Sequence, residues 1–124
     1  MKFLIVDDSA DMRRCIKDYL PDMVEAVECH DGLQAIAAFA EHRPDWVLMD
    51  IEMKLVDGLA ATRQIKAHWP EARIIIVTSH DEPRFRDAAS QLKVEGYVLK
   101  ENLEQINQIV GHGVSTVSVR LKRK

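Results

Sequence analysis

The 124 residues carry 47% hydrophobic and 30% charged side chains and a net charge of −3, the composition of one ordinary globular domain and not of a fibrous or low-complexity chain. Four positive charges sit in Arg120-Leu121-Lys122-Arg123-Lys124, which leaves −7 on the other 119 residues and argues against broad nucleic-acid binding by the folded body. No apolar run approaches the ~20 residues that span a bilayer, and the opening Met1-Lys2-Phe3-Leu4-Ile5-Val6 turns acidic too soon for a signal peptide. Cys15 and Cys29 lack metal-ligand or CxxC spacing, so both are expected as buried free thiols in a reducing cytoplasm.

Phe3-Leu4-Ile5-Val6 reads as a strand buried on both faces and ends in Asp7 and Asp8. A helix follows, capped by Ser9 or Asp11, with Met12, Ile16 and Leu20 inward, Cys15 and Tyr19 widening the stripe, and Pro21 as its stop. Residues 23–29 alternate enough for an edge strand, and His30-Asp31-Gly32 turns the chain into a second helix with Leu33, Ile36, Ala37 and Ala40 on one face. Trp46-Val47-Leu48-Met49 is another fully buried strand, ending at Asp50. Residues 51–58 form a loop into a third helix with Leu59, Thr62, Ile65 and Trp69 inward. Ile74-Ile75-Ile76-Val77 is the most β-branched run and ends in Thr78-Ser79. A fourth helix is predicted from Glu82 to Leu92, with Pro83 in its first turn. Gly96-Tyr97-Val98-Leu99 is the fifth strand, with Lys100 directly after it; Leu103, Ile106 and Ile109 or Val110 mark a fifth helix that frays at Gly111-His112-Gly113.

Strand and helix patterns alternate five times, which predicts an α/β fold, a parallel sheet with helices on both faces and right-handed crossovers. In such sheets ligands bind outside the carboxyl ends of the strands, where this chain places Asp7/Asp8, Asp50, Thr78 and Lys100. Three carboxylates in one crevice repel by roughly 4 kcal/mol per pair at ~4 Å and an effective dielectric near 20, so a cation is expected among them. An all-oxygen donor set favours Mg²⁺. With a lysine and a hydroxyl beside it, the chemistry that fits is phosphoryl transfer to Asp50.

At these residues the sequence resembles the receiver domains of two-component response regulators, over residues 2–111. The resemblance rests on Val6-Asp7-Asp8, Met49-Asp50 with Met53 and Asp57-Gly58 downstream, Val77-Thr78-Ser79, and Gly96-Tyr97-Val98-Leu99-Lys100. It implies a flavodoxin-like (βα)5 three-layer sandwich with strand order 2-1-3-4-5. It further implies that Asp50 is the phosphoacceptor, that Asp8, Asp50 and the Glu52 carbonyl bind Mg²⁺ with Asp7 acting through a water, and that Lys100 and Thr78 hold the phosphoryl group. Thr78 and Tyr97 would be the switch pair, reshaping the face of helix four, strand five and helix five. Glu52 and His80 would flank the hydrolytic water and tune phosphoryl lifetime, with Glu52 slowing attack or competing for Lys100. Arg13 and Arg14 are candidates for kinase contact.

The implied protein is not a turnover enzyme; it would catalyse only its own phosphorylation and slow dephosphorylation. Its implied donor is a sensor histidine kinase or a histidine phosphotransfer protein, and its output a partner, a homodimer formed on phosphorylation, or a helix-turn-helix domain that these residues do not contain. The receiver is expected over residues 1–111, followed by a basic tail or linker over 112–124. Two departures stand out. Lys54 replaces the proline usual four residues after the phosphoacceptor, and Glu101 replaces the one usual after the lysine, so a cis peptide, costing ~3 kcal/mol without proline, is not expected there. Two alternatives remain at this level. One is a haloacid-dehalogenase-type Mg²⁺ phosphohydrolase, whose nucleophile normally ends the first strand; the other is a degenerate receiver acting only as a protein-binding module.

Overall fold

The computed structural model describes residues 1–114, with side-chain surroundings as far as Gly111, so the expectations for residues 115–124 lie outside the described residues. Five strands, β1 (Lys2–Val6), β2 (Glu25–Cys29), β3 (Trp46–Met49), β4 (Ile74–Thr78) and β5 (Gly96–Leu99), alternate with five helices. The helices are α1 (Ala10–Asp18), α2 (Gly32–His42), α3 (Gly58–His68), α4 (Pro83–Gln91) and α5 (Gln105–Val114). Every pairing is parallel and the order is β2-β1-β3-β4-β5. The flavodoxin-like order implied by the resemblance is therefore the observed one.

Because successive strand residues point to opposite faces, the apolar runs feed two cores. Leu4, Val6, Val47, Met49, Ile74 and Ile76 meet Ala35 and Phe39 of α2, Ala61 and Ile65 of α3, and Ala89 of α4. Phe3, Ile5, Trp46, Leu48, Ile75, Val77 and Val98 meet Ile16 of α1 and Ile106 and Val110 of α5. Burial on both faces explains why β1, β3 and β4 read as continuous apolar runs, whereas β2 at the edge has only Cys29 fully buried.

The structure decides between the two expected caps of α1 and changes two helix-face expectations. Ser9, not Asp11, caps α1, its hydroxyl accepting from the Met12 N–H at 3.1 Å. Cys15 is exposed and Tyr19 is 42% exposed, since α1 buries only the narrow line through Ile16 and Leu20; Cys29 is the one cysteine of the pair that is buried. In α2 the inward residues are Ala35 and Phe39, while Leu33 is 59% exposed and Ala37 and Ala40 face outward. Gly32 sets that roll: it packs so close to the loop before α3 that a Cβ there would lie 2.2 Å from the Val56 carbonyl oxygen. Residues three and seven positions on then share its inward face. An alanine-rich helix offers several equally apolar faces, and only the tertiary contact chooses.

α5 does not fray at Gly111-His112-Gly113 but runs on to Val114. Glycine weakens a helix by only about 1 kcal/mol, which anchors such as Ile106 and Val110 outweigh. A short 3₁₀ turn over Lys100–Asn102, not anticipated from the sequence, separates β5 from α5. No cis peptide occurs among the described residues.

Candidate functional site

Register delivers the site. Val6, Met49, Ile76 and Tyr97 form one row across β1, β3, β4 and β5. Asp7 and Asp50 occupy the next row, Thr78 and Leu99 the one after, and Lys100 follows from the last strand. Four consecutive strands thus end in chemistry at one edge of the sheet.

Asp7, Asp8 and Asp50 each offer a carboxylate oxygen, and these lie within 4.8 Å of one another. Asp7 and Asp50 are buried and Asp8 is exposed. The Lys100 ammonium sits between the buried pair, 2.9 Å from Asp7 Oδ2 and 3.2 Å from Asp50 Oδ2, and only the Asp50 contact has hydrogen-bond geometry. Asp7 Oδ1 accepts from the Ser9 N–H at 2.9 Å, while Oδ2, fully buried, accepts no hydrogen bond. Burial pushes the Asp50 carboxyl up to about 6; the neighbouring Asp7 charge adds to this and Lys100 opposes it. Burial would lower the Lys100 ammonium, but the two carboxylates outweigh it and hold its pKa above the ordinary lysine value.

Three carboxyl groups, two of them buried, share one lysine in a partly desolvated site. An all-oxygen donor set fits a hard divalent cation, and the three carboxylates lie close enough together to share one, directly or through a bound water. Two clefts lie beside these residues. A cleft of about 530 Å³ opens beside Asp8, lined also by Ser9, His30, Asp31, Lys54 and Leu55. A smaller one of about 230 Å³, lined by Ile51, Glu52, Met53, Asp57, Leu59, His80 and Phe85, opens on the α3–α4 side.

Thr78 is fully buried at the end of β4, and its hydroxyl accepts from the His80 N–H at 3.2 Å. Tyr97 is half-buried and its hydroxyl donates to the carbonyl of the same residue, at 2.7 Å. The Tyr97 ring lies under the Arg86 guanidinium, and burial raises the phenol pKa. The His80 ring packs at a tilt against Phe85 of α4, with Glu52 3.3 Å and Glu82 3.4 Å from its two ring nitrogens. The carboxylate of Glu52 thus faces His80, and the recorded ion-pair partners of Lys100 are Asp7 and Asp50, so the structure offers no support for Glu52 as a competitor for Lys100.

The response regulator receiver domain model matches residues 3–111 of this sequence. The chain belongs to that family. The chemotaxis protein CheY of Bacillus subtilis is 39% identical over 101 residues, covering 80% of this chain and 84% of that protein, and CheY of Halobacterium salinarum is 37% identical over 98 residues, covering 78% and 82%. Among solved structures, a DNA-binding response regulator of the LuxR family from Staphylococcus aureus superposes with a TM-score of 0.80 at 27% identity, over 89% of this chain and 95% of that one. Receiver domains are the phosphoacceptor modules of two-component systems. The haloacid-dehalogenase alternative loses its footing, since in this receiver Asp50 ends β3 and the first strand carries Asp7 and Asp8.

Sequence reasoning misplaced one residue near the site. Arg13 is not free for a kinase: its side chain is 15% exposed, its Nε lies 2.8 Å from Glu28 Oε1, and its Nη1 donates to the Asp7 carbonyl at 2.5 Å. Arg14 is exposed and pairs with Asp11. The position of Arg13, one turn into α1 after a strand-end acid, was the only available signal.

Proposed function

We propose that this receiver takes a phosphoryl group onto Asp50 from the phosphohistidine of a sensor kinase or histidine phosphotransfer protein in the cytoplasm. The observation that carries this reading is Lys100, held between Asp7 and Asp50 in a nest of three carboxylates. An Asp50 oxygen attacks phosphorus as the P–N bond to the donor imidazole breaks, and the bonding electrons leave with the ring nitrogen. Lys100 then pairs with the phosphoryl oxygens and the Thr78 hydroxyl donates to one of them. Asp8, Asp50 and the Glu52 main-chain carbonyl would hold Mg²⁺ directly, and Asp7 through a water. When bound, the ion supplies positive charge against the transferring group.

Turning the Thr78 hydroxyl toward the phosphoryl group breaks its bond from the His80 N–H, and the carbonyl of that residue is the acceptor for Tyr97. One main-chain segment therefore couples the site to the α4–β5–α5 face. α4 suits that role because Ala89 is its only fully buried residue and its N-cap, Glu82, makes no side-chain cap bond. Output through that face goes to a partner, to a second copy, or to a helix-turn-helix domain.

The test is intact mass after incubation with Mg²⁺ and acetyl phosphate. One Mg²⁺-dependent adduct is expected in the wild type and none in Asp50→Asn; an adduct retained in the variant would overturn the assignment. Glu52 and His80, paired across the mouth, shield the aspartyl phosphate from water. Glu52→Ala is expected to speed dephosphorylation several-fold, read as adduct decay after donor removal, and an unchanged rate would refute the shielding role.

A further inference from the structure

We infer that Arg13 is a positioning residue for the metal-binding carboxylate of Asp8, acting through the peptide between Asp7 and Asp8. The inference rests on the receiver reading above and concerns how the cation site is held open.

Asp7 is fixed on every side. Its N–H donates to the Cys29 carbonyl at 3.1 Å, its Oδ1 accepts from Ser9, and its own carbonyl is gripped by Arg13 Nη1. Asp8, by contrast, is exposed, and its carboxylate makes no hydrogen bond or ion pair among the described residues. The direction of that side chain depends on the backbone that delivers it. A peptide unit is planar, so anchoring the Asp7 oxygen also fixes the line from the Asp8 nitrogen to its Cα. Arg13 is the group that anchors this oxygen.

Arg13 is itself held from the far side. Glu28 on β2 accepts from its Nε at 2.8 Å and from Lys17 Nζ at 2.7 Å, and these two cations keep the Glu28 carboxyl below the usual glutamate range. A guanidinium beside a cation site would weaken metal binding by charge alone. Glu28, shared with Lys17, offsets part of that charge and leaves the directional hold. The two effects have opposite signs: if Arg13 acted by charge, removing it would tighten Mg²⁺; if it acts by position, removing it loosens Mg²⁺.

The experiment is calorimetric titration of the full chain with Mg²⁺, paired with adduct formation from acetyl phosphate at graded Mg²⁺. Arg13→Met keeps the buried stem and removes the donor. It is expected to weaken Mg²⁺ binding about tenfold, in the range seen for residues that orient metal ligands. Its phosphorylation rate should fall at low Mg²⁺ and return to the wild-type value at saturation. Arg13→Lys keeps the charge with a single, shorter donor and should recover only part of the affinity, and Arg14→Met should match the wild type. An unchanged or tighter Kd in Arg13→Met, or a rate deficit that persists at saturating Mg²⁺, would overturn the inference. Should Arg13→Met not fold, Arg13→Gln takes its place: weaker binding supports the inference and equal or tighter binding overturns it. A wild type that neither binds Mg²⁺ nor forms the adduct would instead overturn the receiver reading, and this inference with it.

Discussion

Asp50→Asn is expected to melt about 10 °C above the wild type near pH 7.5 in the absence of Mg²⁺, although it removes the residue on which the proposed chemistry depends. The reason is linkage. An aspartate at about 6 in the folded chain against 3.8 in the unfolded one binds its proton more tightly when folded, so its ionisation opposes folding. Stability is lost as pH rises from about 4 through about 6, and well above 6 the deficit reaches about 3 kcal/mol. Asparagine never ionises and avoids it. For a domain of this size each kcal/mol is worth about 3–4 °C. The advantage of the variant should shrink to about a third by pH 4.5, where both folded forms are neutral at this position. Equal melting temperatures near pH 7.5, or a gap that does not change with pH, would refute the account. Mg²⁺ at ten times its Kd should add about 1.4 kcal/mol to the wild type and much less to the variant. The site is thus unstable by construction, a nest of like charges that a bound cation or a transferred group relieves.

How much of this was legible in the sequence follows from what each feature depends on. Strands buried on both faces must be apolar throughout, so β1, β3, β4 and the acids or hydroxyl that end them stand out unaided. Parallel strands of similar length end at one edge, which is why Asp7, Asp8, Asp50, Thr78 and Lys100 could be grouped before any contact was known. Helix faces were less secure. In α2 nearly every position is small or apolar, and the choice between Leu33 and Phe39 as the inward residue was made by the packing of Gly32 on Val56, a contact between distant segments. Arg13 was misread for a related reason. Charge on a helix ordinarily signals solvent, and only the fold shows that this charge lies against a strand-end carbonyl and a glutamate fifteen residues away. Likewise the Glu52–His80 pair spans two loops whose approach no periodicity encodes.

Gly58→Ala should damage both stability and phosphorylation, because this glycine packs on the backbone of the phosphoacceptor itself. A Cβ at position 58 would lie 1.8 Å from the Asp50 carbonyl oxygen, 2.7 Å from its carbonyl carbon and 3.0 Å from the Ile51 Cα. The contact cannot be loosened cheaply, since the Gly58 N–H also donates to the Ile51 carbonyl at 2.8 Å and Asp57 caps α3 one residue before. Two effects compete. Alanine is the better helix former by up to about 1 kcal/mol. Overlap with backbone in a packed core costs about 3 kcal/mol or more, because main chain has no alternative rotamer. The overlap wins, and a net loss of about 2 kcal/mol or more is expected in denaturant unfolding. Gly111→Ala is the matched control: among the described residues nothing lies within 4 Å of its Cβ position in α5, so the helix term dominates and stability should rise by up to about 1 kcal/mol. The strain of Gly58→Ala is relieved only by moving the Asp50 peptide, which shifts the carboxylate away from Lys100. The fraction of this variant that folds should therefore form the acetyl phosphate adduct more slowly than the wild type even at saturating Mg²⁺. A variant that is less stable yet phosphorylates at the wild-type rate would show that α3 yields instead of Asp50.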